Sequence, residues 1–167
     1  MAITYEPIAT TTLSSAQSSV TFSSISGSYT DLVLVSNLAI INANTANVVY
    51  RFNSDTNSNY SDTRIQGNGS AASSNRSPNA TFTYANAIAY PSGTVGENIY
   101  ITHIFNYSNT TTYKTQMSRA NRAATGTDAI VGLWRSTAAI TSITILLDPS
   151  DTYKSGSTFT LYGITAA

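Results

Sequence analysis

Apolar side chains along this chain recur at every second position and almost never at the three-to-four spacing of a helix. Val20-Thr21-Phe22-Ser23 alternates cleanly. Leu32-Val33-Leu34-Val35 is apolar on both faces, as a strand with protein on each side requires. Val48, Tyr50 and Phe52 share one face, with Arg51 and Asn53 on the other. From Ile99 to Tyr107, the set Ile99, Ile101, His103, Phe105 and Tyr107 points one way, and Tyr100, Thr102, Ile104 and Asn106 the other. With the segments around Ile3 to Ala9, Thr81 to Tyr90, Tyr113 to Met117, Ile140 to Leu147 and Thr158 to Ile164, the pattern predicts about nine strands. Turn-forming residues punctuate them at Gly27, Asn68-Gly69, Pro91-Ser92-Gly93, Gly126-Thr127-Asp128 and Asp148-Pro149-Ser150-Asp151. The only helical signal is the Ala-rich piece Met117 to Ala124. Many short strands without helical crossovers predict an all-β fold, an antiparallel β-sandwich of jelly-roll-like type, as one domain over residues 1–167. The stretch Asn53 to Pro78, dominated by Asn, Ser and Gly, reads as one long ordered loop or one holding irregular short strands.

Composition sharpens this. Only 10% of the 167 residues are charged, against a typical ~25%, and the formal net charge is zero. Ser, Thr and Asn supply 65 residues, so hydroxyls and amides take over surface that charges usually cover. Eleven Tyr, five Phe and many β-branched residues separate the chain from disordered polar sequences. So little charge gives weak protection against self-association, which suits a subunit of a permanent assembly. Balanced charge gives no electrostatic reason for a nucleic-acid or anionic-membrane partner. Without Cys there is no disulfide and no thiolate cage, and one His falls short of the usual zinc sets, so neither metal nor cofactor is expected. The opening Met1 to Pro7 lacks a basic region followed by an apolar stretch, which predicts use without Sec export.

Candidate chemistry is thin. Asp55-Thr56-Asn57-Ser58-Asn59 places oxygens at alternate positions, as a calcium loop does, but Tyr60 stands where that loop turns on Gly and Gln66 where a Glu would close it. An Asx-rich turn is the better reading. His103 could serve as a general base, yet its apolar register favours a hydrogen-bonded interior or a subunit-contact histidine. No nucleophile elbow or phosphate-cradling Gly loop is present, and Glu6 and Glu97 are the only glutamates, so no enzyme is expected. The six arginines, Arg51, Arg64, Arg76, Arg119, Arg122 and Arg135, fall in or beside expected loops, where a guanidinium is either solvated or an interface fork. Trp134 reads first as a core or rim packing residue, and with Tyr60, Tyr113 or Tyr153 it could instead form a sugar-stacking platform.

The segments Tyr5-Glu6-Pro7-Ile8-Ala9-Thr10, Arg51-Phe52-Asn53-Ser54-Asp55 with Asn59-Tyr60-Ser61, Leu133-Trp134-Arg135-Ser136-Thr137 and Phe159-Thr160-Leu161-Tyr162-Gly163-Ile164 resemble structural proteins of tailed bacteriophages, particularly those infecting cyanobacteria. The resemblance runs from the first strand to the last and contains no catalytic signature. It implies a virion component assembled in the host bacterial cytoplasm, foremost a capsid decoration or cement protein, expected as a homotrimer bridging major capsid subunits or contacting other virion proteins. The expected contact surfaces are the 55–76 loop, the 119–122 loop and the N-terminal segment, with Tyr5, Arg51, Asp55, Asn59, Tyr60, Arg64, Arg76, Arg119 and Arg122 as interface residues. The alternative is a tail or fibre adhesin holding host polysaccharide through Trp134, Tyr113 and Tyr153.

Overall fold

The computed structural model describes residues 4–165, so Ile3, at the start of the first expected strand, lies outside the described residues. Twelve strands follow one another: β1 (Tyr5–Thr12), β2 (Val20–Phe22), β3 (Asp31–Asn37), β4 (Asn47–Phe52), β5 (Tyr60–Gly67), β6 (Ala72–Ala80), β7 (Thr83–Tyr84), β8 (Asn98–Phe105), β9 (Lys114–Arg122), β10 (Gly126–Trp134), β11 (Ile143–Asp148) and β12 (Thr158–Ile164). They form an eight-stranded sheet in the order β1-β12-β3-β8-β9-β10-β5-β6 and a four-stranded sheet in the order β2-β11-β4-β7. Every pairing is antiparallel. The all-β antiparallel sandwich expected from alternation is thus the observed class, with unequal layers.

Alternation decides what lies between the layers. Leu32, Leu34, Tyr100, Ile104, Phe159 and Leu161 of the large sheet are buried in one cluster with Val48, Tyr50, Phe52, Ile143 and Ile145 of the small one. Each such side chain contributes roughly 1.5–3 kcal/mol through removal from water. Phe52, Tyr60 and Trp134 form an aromatic corner, with ring centroids 5.7 Å apart for Phe52 and Trp134 and 6.3 Å for Tyr60 and Trp134. The Tyr60 hydroxyl accepts the Phe52 backbone N–H at 2.9 Å, so the buried phenol is satisfied.

A polar seam crosses this core. Thr102 donates to the Tyr50 hydroxyl at 2.9 Å and lies 2.6 Å from Ser118, which donates to the Gln116 amide oxygen at 2.9 Å. Gln116 in turn donates to Thr83 at 3.0 Å and to the Tyr84 carbonyl at 3.2 Å, tying β9 to β7 of the other sheet. Gly132 lets this tie form, because a Cβ there would collide with the Thr83 hydroxyl and the Gln116 amide. Lys114 is buried beside the seam, and its ammonium donates to the carbonyls of Thr112 at 2.7 Å and Thr137 at 3.3 Å. Desolvation holds it below the ordinary lysine range.

Four expectations need correction. Met117 to Ala124 is not helical: β9 runs Lys114–Arg122 because Lys114, Gln116, Ser118 and Ala120 alternate inward between β8 and β10, and strand pairing on both sides overrides the local Ala-rich propensity. The supposed 53–78 loop contains the regular hairpin β5–β6, closed at Asn68-Gly69, where the Asn68 side chain accepts the N–H groups of Ser70 and Ala71. Gly126-Thr127-Asp128 begins β10 and is not a turn between strands. Of Thr81 to Tyr90 only Thr83–Tyr84 is a strand, because the chain beyond wraps the buried Asp128 carboxylate, which accepts the N–H groups of Ala87 at 2.6 Å, Ile88 at 3.0 Å and Ala89 at 2.8 Å. Three missed strands, β5, β6 and β10, account for twelve in place of about nine.

Candidate interaction surface

The large sheet has a second face, turned away from the core. Its register sets side chains in rows across the strands. One row runs Pro7, Tyr162, Val33, His103, Met117, Val131, Thr63, Arg76 from β1 to β6. The next runs Thr10, Thr160, Val35, Ile101, Arg119, Ala129, Ile65, Ser74. Beyond the first row lie Tyr5, Ile164, Asp31, Phe105, Thr115, Leu133 and Ser61. Aliphatic and aromatic groups dominate the middle of this face, and its ionisable residues in these rows are Asp31, His103, Arg119 and Arg76 together with the phenols of Tyr5 and Tyr162.

Val33 in this band is buried, but four of its large apolar side chains are open to water. Ile65 is 60% exposed, Val131 56%, Met117 50% and Tyr5 56%, whereas the other widely exposed large apolar residues, Ile41, Val95 and Tyr113, sit on loops. Contiguous apolar surface of this kind on a sheet face marks a place where something packs. Two hollows indent it. Tyr5, Val33, Ile101, His103, Met117 and Arg119 line one of about 260 Å³. The other, an open groove of about 510 Å³, is bounded by Thr63, Val131, Leu133 and Pro78 with Arg76 and Arg135 at its rim.

Of the residues singled out from sequence, Tyr5, Arg76 and Arg119 come together here. Arg76 and Arg119 are on strands, not loops, and Arg119 projects from the centre of the face. The remaining arginines are engaged by other groups of the same chain. Arg51 on β4 donates to the Thr81 carbonyl at 3.2 Å. Arg64 on β5 lies 2.9 Å from Asp62 and 4.1 Å from the Tyr84 ring centroid. Arg122 reaches Asn44 and the Tyr90 carbonyl, and Arg135 donates to the Ser58 carbonyl at 2.8 Å and to Asn79 at 2.9 Å.

Asp55 and Asn59 form the Asx-rich turn: Asp55 accepts from the Asn57 backbone at 2.9 Å, the Asn57 amide at 2.8 Å, the Asn59 amide at 2.9 Å and the Trp134 indole N–H at 2.8 Å. Burial alone would raise the Asp55 carboxyl, but these donors outweigh it and hold the group below the usual range. The aromatic platform is not formed. Trp134 is 3% exposed and Tyr60 and Tyr153 are buried, so of these four rings only that of Tyr113 is open to solvent. Tyr60 is likewise no interface residue, since its ring fills the corner between the sheets.

His103 is not an interior residue either. β8 is apolar on both faces, and Tyr100, Thr102 and Ile104 turn inward, which leaves His103 on the open face. There it stacks on Phe105 with ring centroids 4.4 Å apart, and its Nε2 lies 3.6 Å from Asp31. Sequence reading missed Ile65, Met117 and Val131. The signal available for them was alternation, concealed where Met117 fell in an expected helix and Ile65 in an expected loop. Among the described residues no group of three or more His, Cys, Asp or Glu is placed to hold a metal ion. No protein-family model matches the chain, and no curated protein matches it.

Proposed function

We propose that this chain is a non-enzymatic structural protein of a virion, a decoration or cement subunit that works by packing protein against protein on an assembled shell. The observation that carries the reading is the outer face of the eight-stranded sheet, where Ile65, Met117 and Val131 stand half or more exposed in one apolar band. An isolated protein gains nothing from such a surface and risks aggregation through it. An assembly subunit uses it. The low charge, the polar Ser, Thr and Asn surface and the resemblance to tailed-phage structural proteins support the same reading.

A protein that binds the closed shell and not its separated subunits stabilises the shell by mass action, and linked copies raise effective concentration so that each contact can be weak. The test is reconstitution with expanded heads that lack decoration. Added protein is expected to bind them stoichiometrically and to raise the temperature at which they rupture. Heads that neither bind it nor gain heat resistance refute the role.

A further inference from the structure

We infer that the open face of the eight-stranded sheet is closed by the same face of a second copy, in a two-fold dimer whose axis passes beside His103. The inference rests on the reading of this chain as an assembly subunit and names the first partner of that surface.

Eight strands about 4.8 Å apart, each about eight residues long at about 3.3 Å per residue, give a face of about 35 by 25 Å. Two such faces crossed at about 70° overlap over on the order of 650 Å², against the roughly 800 ± 200 Å² per partner that a standard specific interface buries.

A two-fold interface must be complementary to itself, with each residue meeting one whose own partner meets it in return. His103 pairs with Val33 on β3 and with Met117 on β9. Asp31 is two residues from Val33 toward one end of the sheet, and Arg119 is two residues from Met117 toward the other. The carboxylate and the guanidinium therefore lie at opposite ends of a diagonal with His103 at its midpoint. An axis in the face, through His103 and across that diagonal, sets Asp31 of each copy against Arg119 of the other. Both central charges are then paired while the apolar groups around them leave water. Arg119 has no carboxylate within ion-pair distance among the described residues, and Asp31, which accepts the Asn106 backbone N–H at 2.6 Å through one oxygen and lies 3.6 Å from His103 through the other, keeps its side chain 23% exposed.

At these spacings the axis lies about 55° from the strand direction, so the strands of the two copies cross at about 70°. This is near the orthogonal class of face-to-face sheet packing, which keeps the inner layers about 10 Å apart. The hollow between Tyr5 and Met117 adjoins His103, where such packing needs room for side chains from the opposite copy.

The experiment is sedimentation equilibrium and light scattering on the full chain over a wide concentration range. The expected mass is twice the 17.7 kDa of one chain. Met117→Lys and Val131→Lys alter exposed side chains, so the fold should survive, as circular dichroism will check; each is expected to weaken dimerisation at least tenfold. Arg119→Asp is expected to weaken it similarly, and the double variant Asp31→Arg with Arg119→Asp to restore it. A wild-type chain that stays monomeric or forms trimers overturns the inference, as does a dimer that both lysine variants leave intact. A charge swap that fails to restore a folded dimer overturns the two-fold pairing. If the wild type is monomeric yet binds heads, the dimer fails and the proposed function stands; if it dimerises and never binds heads, the reverse holds.

Discussion

Two carboxylates show how the same residue type takes opposite roles in this fold. Asp55 accepts four hydrogen bonds and anchors the buried Trp134 indole, so Asp55→Ala would strand that N–H in the aromatic corner. An unsatisfied buried donor costs about 1–3 kcal/mol. Chemical denaturation should therefore show a loss of that order, whereas Asp55→Asn, which keeps an acceptor, should lose less; equal stability of the Ala variant and the wild type would refute the anchoring role. Asp62 behaves the other way. Burial pushes it up to about 6, although Arg64 beside it pulls down. The folded protein thus holds a proton that the unfolded chain releases near 3.8. The contribution of Asp62 to stability is full below about 3.8 and is lost as pH rises through about 6. Relative to Asp62→Asn, the wild type should lose stability between these pH values, and a difference between the two that stays flat with pH would remove this account.

At the scale of elements, what was legible depended on whether alternation was backed by a core. β3, β4, β8 and β12 were readable because their inward residues are large and apolar, as Leu34, Tyr50, Ile104 and Phe159 show. β5 and β6 were not, since Asp62 and Arg64 face inward on β5 and Ser and Asn fill β6, nearly all of which is exposed. Nothing local distinguishes such a strand from a loop; the hydrogen bonds to β10 and the Asn68-Gly69 turn make it one. The interaction surface was half legible for the same reason. The outward row of β8 stood in the alternation, but Met117 and Val131 join it only through the β8–β9 and β9–β10 pairings, where β9 overlapped an expected helix and β10 was not expected. The same contrast predicts dynamics. β6 is an edge, paired on one side only, whereas β8 is flanked by β3 and β9. Hydrogen exchange should be slower by orders of magnitude in the amides of Ile101 to Ile104 than in those of Ser73 to Asn75. Similar protection in the two strands would contradict that ranking.

Over the whole molecule, the two sheets interleave the beginning and the end of the chain. β1 pairs only with β12, and β2 only with β11. A ribosome releases the amino end first, adding roughly 5–20 residues each second. The two earliest strands therefore wait through the making of nearly all the others, for on the order of ten seconds, before their neighbours exist. Until then β3 has β8 beside it on one flank and a vacant groove on the other. An unfinished copy thus carries bare backbone, and the scarcity of charge gives it little protection against pairing with another chain. Completion of the final strand is the event that covers this flank.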